Sequence, residues 1–134
     1  MTDRGLLEDI TKQWISLWTC PVDWLLFDAL HADSFQDLAA AGRPATKEGF
    51  AAGLKAMTEA FPDLKTEVES LVVDVDRQTV AVRWTSRGTN AKSFIGTGPT
   101  GKLTELRGIE IIEIHGGKIT RRWGEWDTTA HTGA

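Results

Sequence analysis

The sequence predicts an α+β fold in which three N-terminal helices pack on one face of a strongly curved antiparallel sheet. Apolar residues first recur at helical spacing and then, from about residue 64, alternate with a period of two. A run of helices followed by a run of strands is typical of this fold class. The 134 residues show no internal repeat, low-complexity stretch or linker, so we expect a single domain over 1–134.

Three helices are indicated in the first half of the chain. The first covers about 4–18, where one face collects the apolar residues Leu7, Ile10, Trp14, Leu17 and Trp18. Pro21 ends it, because proline lacks an amide hydrogen and its ring clashes inside a helix. A short second helix covers about 22–30. A third begins near Thr46, a residue suited to an N-cap, and ends at Pro62.

The second half of the chain is predicted to form strands. Alternation starts at Lys65 and leads to a turn at 76–78, after which a half-buried strand covers about 80–90. A longer strand covers about 102–114, and a Gly-Gly turn leads into the last strand, about 118–127. The segment between the second and third helices is too short to assign a structure.

Composition narrows the classes of partner. The net charge of −4 argues against a protein that binds nucleic acid. No apolar run approaches the roughly 20 residues that span a bilayer, and the acidic N-terminus does not resemble a signal peptide. The single cysteine, Cys20, excludes an intrachain disulfide. We therefore expect a cytoplasmic protein that acts away from membranes and nucleic acids.

Residue types also exclude several mechanisms. The histidines His31, His115 and His131 are too few and too scattered for a metal site, so we expect no metal. No Gly-x-Ser-x-Gly motif is present to hold a nucleophilic serine. The chain has six Trp and five Phe but no Tyr, which excludes any mechanism that needs a phenol.

The strand over 80–90 suits the wall of a cavity mouth. One face carries Val80, Val82 and Trp84 and continues through Ser86, Gly88 and Asn90. If this face points inward, its large end fills space and its small, polar end leaves room for a ligand. The alternative is a strand that frays into solvent beyond Thr85.

Two glutamates stand on the strand over 102–114. Both of its faces carry isoleucines, which indicates a central strand, so either Glu110 or Glu113 should be shielded from water. A shielded carboxyl group has a raised pKa and can act as a general acid or base. The alternative is an exposed glutamate, or one paired with Arg83, Arg107 or Arg122.

The last strand ends in a cluster of two tryptophans and two acidic residues. Trp123, Glu125 and Asp127 share one face if no bulge intervenes. A carboxylate against an indole is poorly solvated, so its pKa rises; the acid of lysozyme is the known example of this effect. Asp127 is therefore a candidate base. The alternative is that it only ends the strand and caps the segment after it.

Short motifs succeed one another along the chain in a characteristic order. They are Phe61-Pro62-Asp63-Leu64, Val80-Ala81-Val82-Arg83-Trp84-Thr85, Gly88-Thr89-Asn90, Phe94-Ile95-Gly96, Pro99-Thr100-Gly101-Lys102 and Gly117-Lys118-Ile119, and then Trp123 and Asp127. In this order, over nearly the whole chain, they resemble the SnoaL-like polyketide cyclase family. That family belongs to the nuclear transport factor two-like superfamily of cone-shaped α+β folds.

The resemblance implies a deep apolar pocket between the concave sheet and the helices. Asp127 stands at the position of an aspartate that, in such cyclases, removes a proton from an activated carbon so that the enolate closes a ring. Glu110 is a second polar group for the pocket, and Asn90 stands where many relatives carry His, so the usual constellation is incomplete. The superfamily also implies a homodimer paired through the outer faces of the sheets.

Two functions stay open on these grounds. The first is cofactor-independent acid/base chemistry, of cyclase, isomerase or hydrolase type, on a hydrophobic carbonyl or epoxide substrate. Asp127 would act as base, Glu110 or Asn90 would orient the substrate, and the pocket wall would comprise Trp14, Trp18, Trp84 and Trp123. The alternative is a non-catalytic protein that binds a small hydrophobic molecule in the same pocket. Ketosteroid isomerases share the fold but use a Tyr hydroxyl, so close mimicry of them is disfavoured.

Overall fold

The α+β fold is confirmed by a computed structural model, which describes residues 3–40, 42–94 and 98–127. Its elements in chain order are helices α1 (Arg4–Ser16) and α2 (Trp24–Leu30), strand β1 (His31–Asp37), helix α3 (Lys47–Ala60) and strands β2 (Lys65–Asp74), β3 (Thr79–Thr89), β4 (Leu103–His115) and β5 (Lys118–Asp127). Ile95 and Gly96 of the family-like motifs, and His131, lie outside the described residues. None of the described helices is long and apolar enough to cross a membrane.

The sheet is mixed rather than wholly antiparallel. Its strand order is β1-β5-β4-β3-β2, and the four strands from β2 to β5 form the predicted antiparallel meander. The added strand, β1, pairs in parallel with β5, with His31 beside Ile119 and Asp37 beside Arg122. This strand lies in the segment to which sequence patterns assigned no structure. The strand was missed because its partner, β5, lies more than eighty residues away and no local hairpin signal marks it.

Strict alternation in β4 decides which way its side chains point. The even-numbered residues from Thr104 to Ile114 are buried, whereas the odd-numbered residues face away from the helices. Glu110 is therefore the shielded glutamate, with no exposed surface. Glu113 lies on the outer face, where its carboxylate accepts from Arg121 at 3.2 Å.

The helices cover the inner face of the sheet with apolar side chains. Their amphipathic faces bury Leu7, Ile10 and Trp14 from α1 and Phe50, Leu54 and Met57 from α3. The N-caps Asp3 and Thr46 accept hydrogen bonds from Leu6 and Gly49, which satisfies amides that the first turn leaves free.

A buried histidine links α1 to the junction of α2 and β1. The His31 ring accepts a hydrogen bond at Nε2 from the indole of Trp14 at 2.9 Å. Its Nδ1 lies 2.7 Å from the carbonyl oxygen of Phe27 and must therefore donate, which fixes a neutral ring. Trp14, expected in the pocket wall, lies instead in this core with no exposed surface.

We expect His31 to make folding stability fall in mild acid. Burial lowers the pKa of His31 to about 4 from 6.5. Between pH 6.5 and 4, His31 is protonated in the unfolded chain but stays neutral in the folded chain. The free energy of unfolding should therefore drop as the pH falls from 6.5 to 4, by about 3 kcal/mol in total. Chemical denaturation across this range measures the effect.

The matched comparison uses His31→Gln, which cannot titrate, and His115→Gln, which removes an exposed histidine from the end of β4. Substitution of His31 should reduce the fall in the free energy of unfolding between pH 6.5 and 4 (the acid limb), whatever it does to stability at neutral pH. Substitution of His115 should leave the limb unchanged. An equally steep limb in wild type and His31→Gln would show that the buried ring is not its source.

Candidate functional site

A cavity of about 580 Å³ lies between α3 and the inner face of β5. Most of its wall is apolar, and its polar groups are few. The lining residues are Trp18, Ala39, Arg43, Phe50, Gly53, Leu54, Ala56, Met57, Ser93, Phe94, Arg122, Gly124 and Trp126. A concave apolar space with a small number of placed polar groups is the usual form of a small-molecule site.

A second hollow, of about 490 Å³, lies at the surface where α1 is followed by α2. It contains Cys20, whose thiol donates to the carbonyl oxygen of Phe61 at 3.4 Å. Burial raises the pKa of Cys20, so the thiolate that reactive cysteines require is disfavoured. Cys20 is thus not activated as a nucleophile, and the larger cavity is the candidate site.

The carboxylate of Glu110 lies directly behind the wall of this cavity and accepts four hydrogen bonds. Its Oε1 accepts from Nε and Nη2 of Arg122 at 3.0 and 2.7 Å. Its Oε2 accepts from the indole nitrogens of Trp84 at 3.3 Å and Trp126 at 3.1 Å. The four donor nitrogens belong to three side chains on the inner face of β3 and β5, the two neighbours of β4.

Arg122 joins Glu110 to a second buried carboxylate on β1. Its Nη1 donates to Oδ1 of Asp37 at 2.9 Å, and the guanidinium lies 5.0 Å from the ring centre of Phe50. The other oxygen of Asp37 accepts from Nη2 of Arg43 at 3.0 Å. Two carboxylates and two guanidiniums therefore alternate in a line from the sheet to the cavity mouth. Their formal charges cancel.

Two glycines provide the space that the buried carboxylate and its tryptophan need. Gly124 is paired with Glu110 across β4 and β5, and a Cβ there would come within 2.6 Å of both carboxylate oxygens. A Cβ on Gly108 would come within 2.8 Å of the indole of Trp84. Larger residues at either position would displace the carboxylate or its donor.

Burial dominates the acidity of Glu110. Removal from water raises its pKa above the usual 4.5, although Arg122 and the two indoles favour the charged form. A carboxyl group that is both hydrogen-bonded and reluctant to stay charged is suited to take up a proton and release it again.

The structure brings together only part of the predicted site. Glu110 and Trp84 meet behind the cavity wall, and Trp18 lines the cavity itself. Trp14 lies in the core beside His31. Trp123 and Asp127 lie on the outer face of the sheet, away from the cavity.

A bulge in β5 explains the position of Asp127. Ile119 points inward opposite Ile114, but the register shifts before Arg121, so that Arg122, Gly124 and Trp126 point inward instead of their odd-numbered neighbours. The expected set of Trp123, Glu125 and Asp127 does share a face, but it is the outer one. There Oδ2 of Asp127 accepts from Arg107 at 3.1 Å, and nearly half of the side chain is exposed.

Asn90, predicted to orient a substrate, holds the β3–β4 connection together. Its Oδ1 accepts from the amide of Thr100 at 2.9 Å, and its Nδ2 donates to the carbonyl oxygen of Lys92 at 2.7 Å. Its backbone also bonds to Gly101 and Lys102. The side chain is fully buried and its hydrogen-bonding groups are used inside the protein.

Sequence reasoning misses Asp37, Arg43 and Trp126. Asp37 lies on the strand that has no local signal, and Arg43 follows it in the connection to α3. Trp126 points inward only because of the bulge. Arg122 is one of three arginines that the sequence offers as partners of a glutamate, and the structure makes it the partner of Glu110.

The sequence matches the SnoaL-like polyketide cyclase family over residues 8–132. This chain belongs to that family. No curated protein matches the sequence significantly. Among solved structures, TsrD from Streptomyces laurentii superposes on this SnoaL-like chain with a TM-score of 0.86 at 18% identity, covering 98% of this chain and 95% of TsrD.

Two further structures share the fold. IdmH from Streptomyces antibioticus superposes with a TM-score of 0.77 at 23% identity, over 92% of this chain and 94% of IdmH. A SnoaL-like polyketide cyclase from Agrobacterium tumefaciens gives 0.74 at 23% identity, over 93% of this chain and 94% of its own. At such identities the likeness shows the common fold of these proteins.

We expect Arg122 to be essential for stability. Arg122→Gln leaves Glu110 and Asp37 buried without the cation they share, which should lower the free energy of unfolding by about 3–5 kcal/mol. Denaturant titration measures the loss. The matched control is Arg121→Gln, one residue earlier and exposed on the outer face, which should change stability by less than about 1 kcal/mol. Equal effects of the two substitutions would contradict this role.

Proposed function

We propose that this SnoaL-like protein catalyses proton abstraction from a hydrophobic carbonyl compound, followed by aldol ring closure, with Glu110 as the base. One observation carries the proposal: among the described residues, Glu110 is the carboxylate next to the cavity whose pKa burial raises. Gly124 lies in the cavity wall beside Glu110, and its missing side chain leaves the room that the fully buried carboxylate occupies.

The proposed steps balance without a cofactor. Glu110 takes a proton from a carbon next to a carbonyl group, and the electron pair moves to the carbonyl oxygen to form an enolate. The enolate carbon attacks a second carbonyl of the same molecule, forming the carbon–carbon bond and an alkoxide. Protonated Glu110 then returns its proton to that alkoxide, which regenerates the carboxylate.

Arg122 is placed to stabilise the enolate. It lines the cavity and keeps N–H groups beyond the three that Glu110 and Asp37 accept. A fixed cation in a site shielded from water stabilises developing negative charge more strongly than water does. The apolar wall of Phe50, Leu54 and Met57 would hold the hydrocarbon part of the substrate in a folded shape suited to ring closure.

A non-catalytic role as a hydrophobic ligand binder is the second candidate. It is favoured by the cavity lining, which within the described chain includes no carboxylate and no imidazole. In this case Glu110 would serve only to position Arg122 and Trp126. The two candidates make opposite predictions for chemical turnover and the same prediction for binding.

We also propose that two copies pair through the outer face of the sheet. Val72, Ala81, Ile111 and Trp123 lie side by side across four strands and form an apolar outer stripe. Val72 is 72% exposed and Ile111 42% exposed. Rows of mixed charge flank the stripe, including the Glu113–Arg121 pair, so a second copy can meet each charge with its opposite.

Glu110→Gln tests the catalytic proposal. With a tetralone as a hydrophobic ketone probe, proton NMR in heavy water should show enzyme-accelerated exchange of the protons next to the carbonyl. The variant should lose this acceleration by about 100-fold or more. In wild type the rate should fall with decreasing pH around a midpoint above 4.5, because the base must be unprotonated and its pKa is raised.

Glu113→Gln is the matched control, since Glu113 lies on the same strand but faces outward. The Glu113→Gln variant should catalyse proton exchange in the probe at the wild-type rate, and so should Asp127→Asn. Circular dichroism and quenching of tryptophan fluorescence by the probe report folding and binding in every variant. Binding without accelerated exchange in the wild type would favour the ligand-binding candidate, and full activity in Glu110→Gln would remove Glu110 from the mechanism.

Ile111→Glu tests the dimer. It places charge in the middle of the outer stripe and should convert the mass measured by light scattering from that of two chains to that of one. Leu25→Glu is the control, because Leu25 on α2 is 87% exposed and lies outside the stripe. A wild-type mass of one chain at micromolar concentration would refute the pairing.

A further inference from the structure

We infer that Arg43 forms an anion-binding subsite at the mouth of the cavity, so that the ligand is a hydrophobic molecule carrying a carboxylate. This inference rests on the proposed function, since it concerns the occupant of the same cavity. It assigns a charge to one end of that occupant.

The first observation is an unused donor. Nε of Arg43 is buried and has no hydrogen-bond partner among the described residues. The guanidinium uses Nη2 for Asp37 at 3.0 Å, while the side chain lines the cavity and remains one-third exposed. A buried donor without a partner is costly, so the described residues leave this guanidinium incompletely bonded. Because Nε itself is covered, a ligand oxygen would bind at the exposed edge of the guanidinium.

The second observation is the space made for the guanidinium on α3. A Cβ on Gly53 would come within 2.8 Å of Nε and Cζ of Arg43. Glycine in the middle of a helix lowers its stability by about 1 kcal/mol relative to alanine. Gly53 therefore weakens α3 but leaves room for the side chain of Arg43. Asp37 on one side and Gly53 on the other therefore fix the cation against the cavity.

The third observation is how unevenly the two arginines of the site are balanced. Within the part of the chain that the structure describes, the side chain of Arg122 donates three hydrogen bonds to two carboxylates, whereas that of Arg43 donates one, to a carboxylate that it shares with Arg122. The positive charge with least compensation therefore lies at the mouth. Planar guanidinium groups bind carboxylates through paired hydrogen bonds, and a neutral ester could accept only a weaker bond.

The geometry separates the two ends of such a ligand. Its carboxylate would lie on Arg43, and its apolar body would lie over Phe50 and Leu54 toward Trp126, where Glu110 and Arg122 meet. The site would thus select a free acid over the corresponding neutral ester or amide.

The experiment compares two fluorescent probes that share one aromatic frame. Anilinonaphthalene sulfonate carries a negative charge, whereas phenylnaphthylamine does not. At low salt the wild type should bind the anionic probe about 10-fold more tightly, and each probe should displace the other. Arg43→Gln should lower the affinity for the anionic probe about 10-fold, as expected for the loss of one charge-assisted hydrogen bond. Its affinity for the neutral probe should stay within about 2-fold of the wild-type value.

Gly53→Ala provides a second test that keeps the net charge of the chain. The added methyl group should displace the guanidinium and weaken only the anionic probe, although alanine suits the helix better than glycine. Arg121→Gln, which removes an equal charge from the outer face, should affect neither probe. Arg43→Lys should retain part of the preference, because it keeps the charge without the planar fork.

Three outcomes would overturn the inference. They are equal affinity of the wild type for the two probes, equal weakening of both probes by Arg43→Gln, and an unchanged preference in Gly53→Ala. If the neutral probe binds and no anion preference exists, the subsite is wrong while the proposed function stands. If neither probe binds, the cavity is not a hydrophobic site and both proposals fall.

Discussion

The arrangement of the molecule depends on one guanidinium group, that of Arg122. It lies between Glu110 on β4 and Asp37 on β1, and so connects strands that are far apart in the sequence. A buried charge without partners would cost far more than the fold could supply, so the three groups must be buried together. The parallel pairing of β1 with β5 meets this requirement through the backbone, because it places Asp37 beside Arg122.

Space is the second constraint, and glycine meets it. Strands of this sheet face a crowded interior, and a carboxylate, a guanidinium and two indoles meet around one point of β4. Gly124 and Gly108 leave the room that Glu110 and Trp84 occupy. The buried cluster therefore requires the absence of a side chain at these positions, although each glycine weakens its strand.

Much of the fold could be predicted from the sequence because its signals are local. Helical spacing, proline stops and strand alternation predict seven of the eight elements, with ends that differ by a few residues. The eighth, β1, has no local signal, because its pairing partner comes at the end of the chain. The site was less predictable for the same reason. Alternation narrows the shielded carboxylate to Glu110 or Glu113 and the structure decides for Glu110, whereas Asp37, which shares Arg122 with it, depends on long-range pairing.

The position of Asp127 shows how one residue can reverse such reasoning. A strand without a bulge would turn Ile119 and Asp127 to the same, inner face. The extra residue in β5 shifts the alternation of side chains after it by one position. Arg122 and Trp126 therefore point to the inner face and Asp127 to the outer face. A bulge of this kind leaves no mark in the hydrophobic pattern here, because a tryptophan is available on each face.

The lack of tyrosine gives the buried carboxylate an unusual environment. Arg122, Trp84 and Trp126 can only donate hydrogen bonds, whereas a phenol could also accept one. When Glu110 is charged, all four donors are satisfied. When it takes up a proton, its new O–H finds no acceptor among these three side chains and competes with one of them. The proton is therefore best directed toward the cavity wall at Gly124, which has no side chain between the carboxylate and its own backbone. In the proposed reaction, that same direction leads back to the substrate.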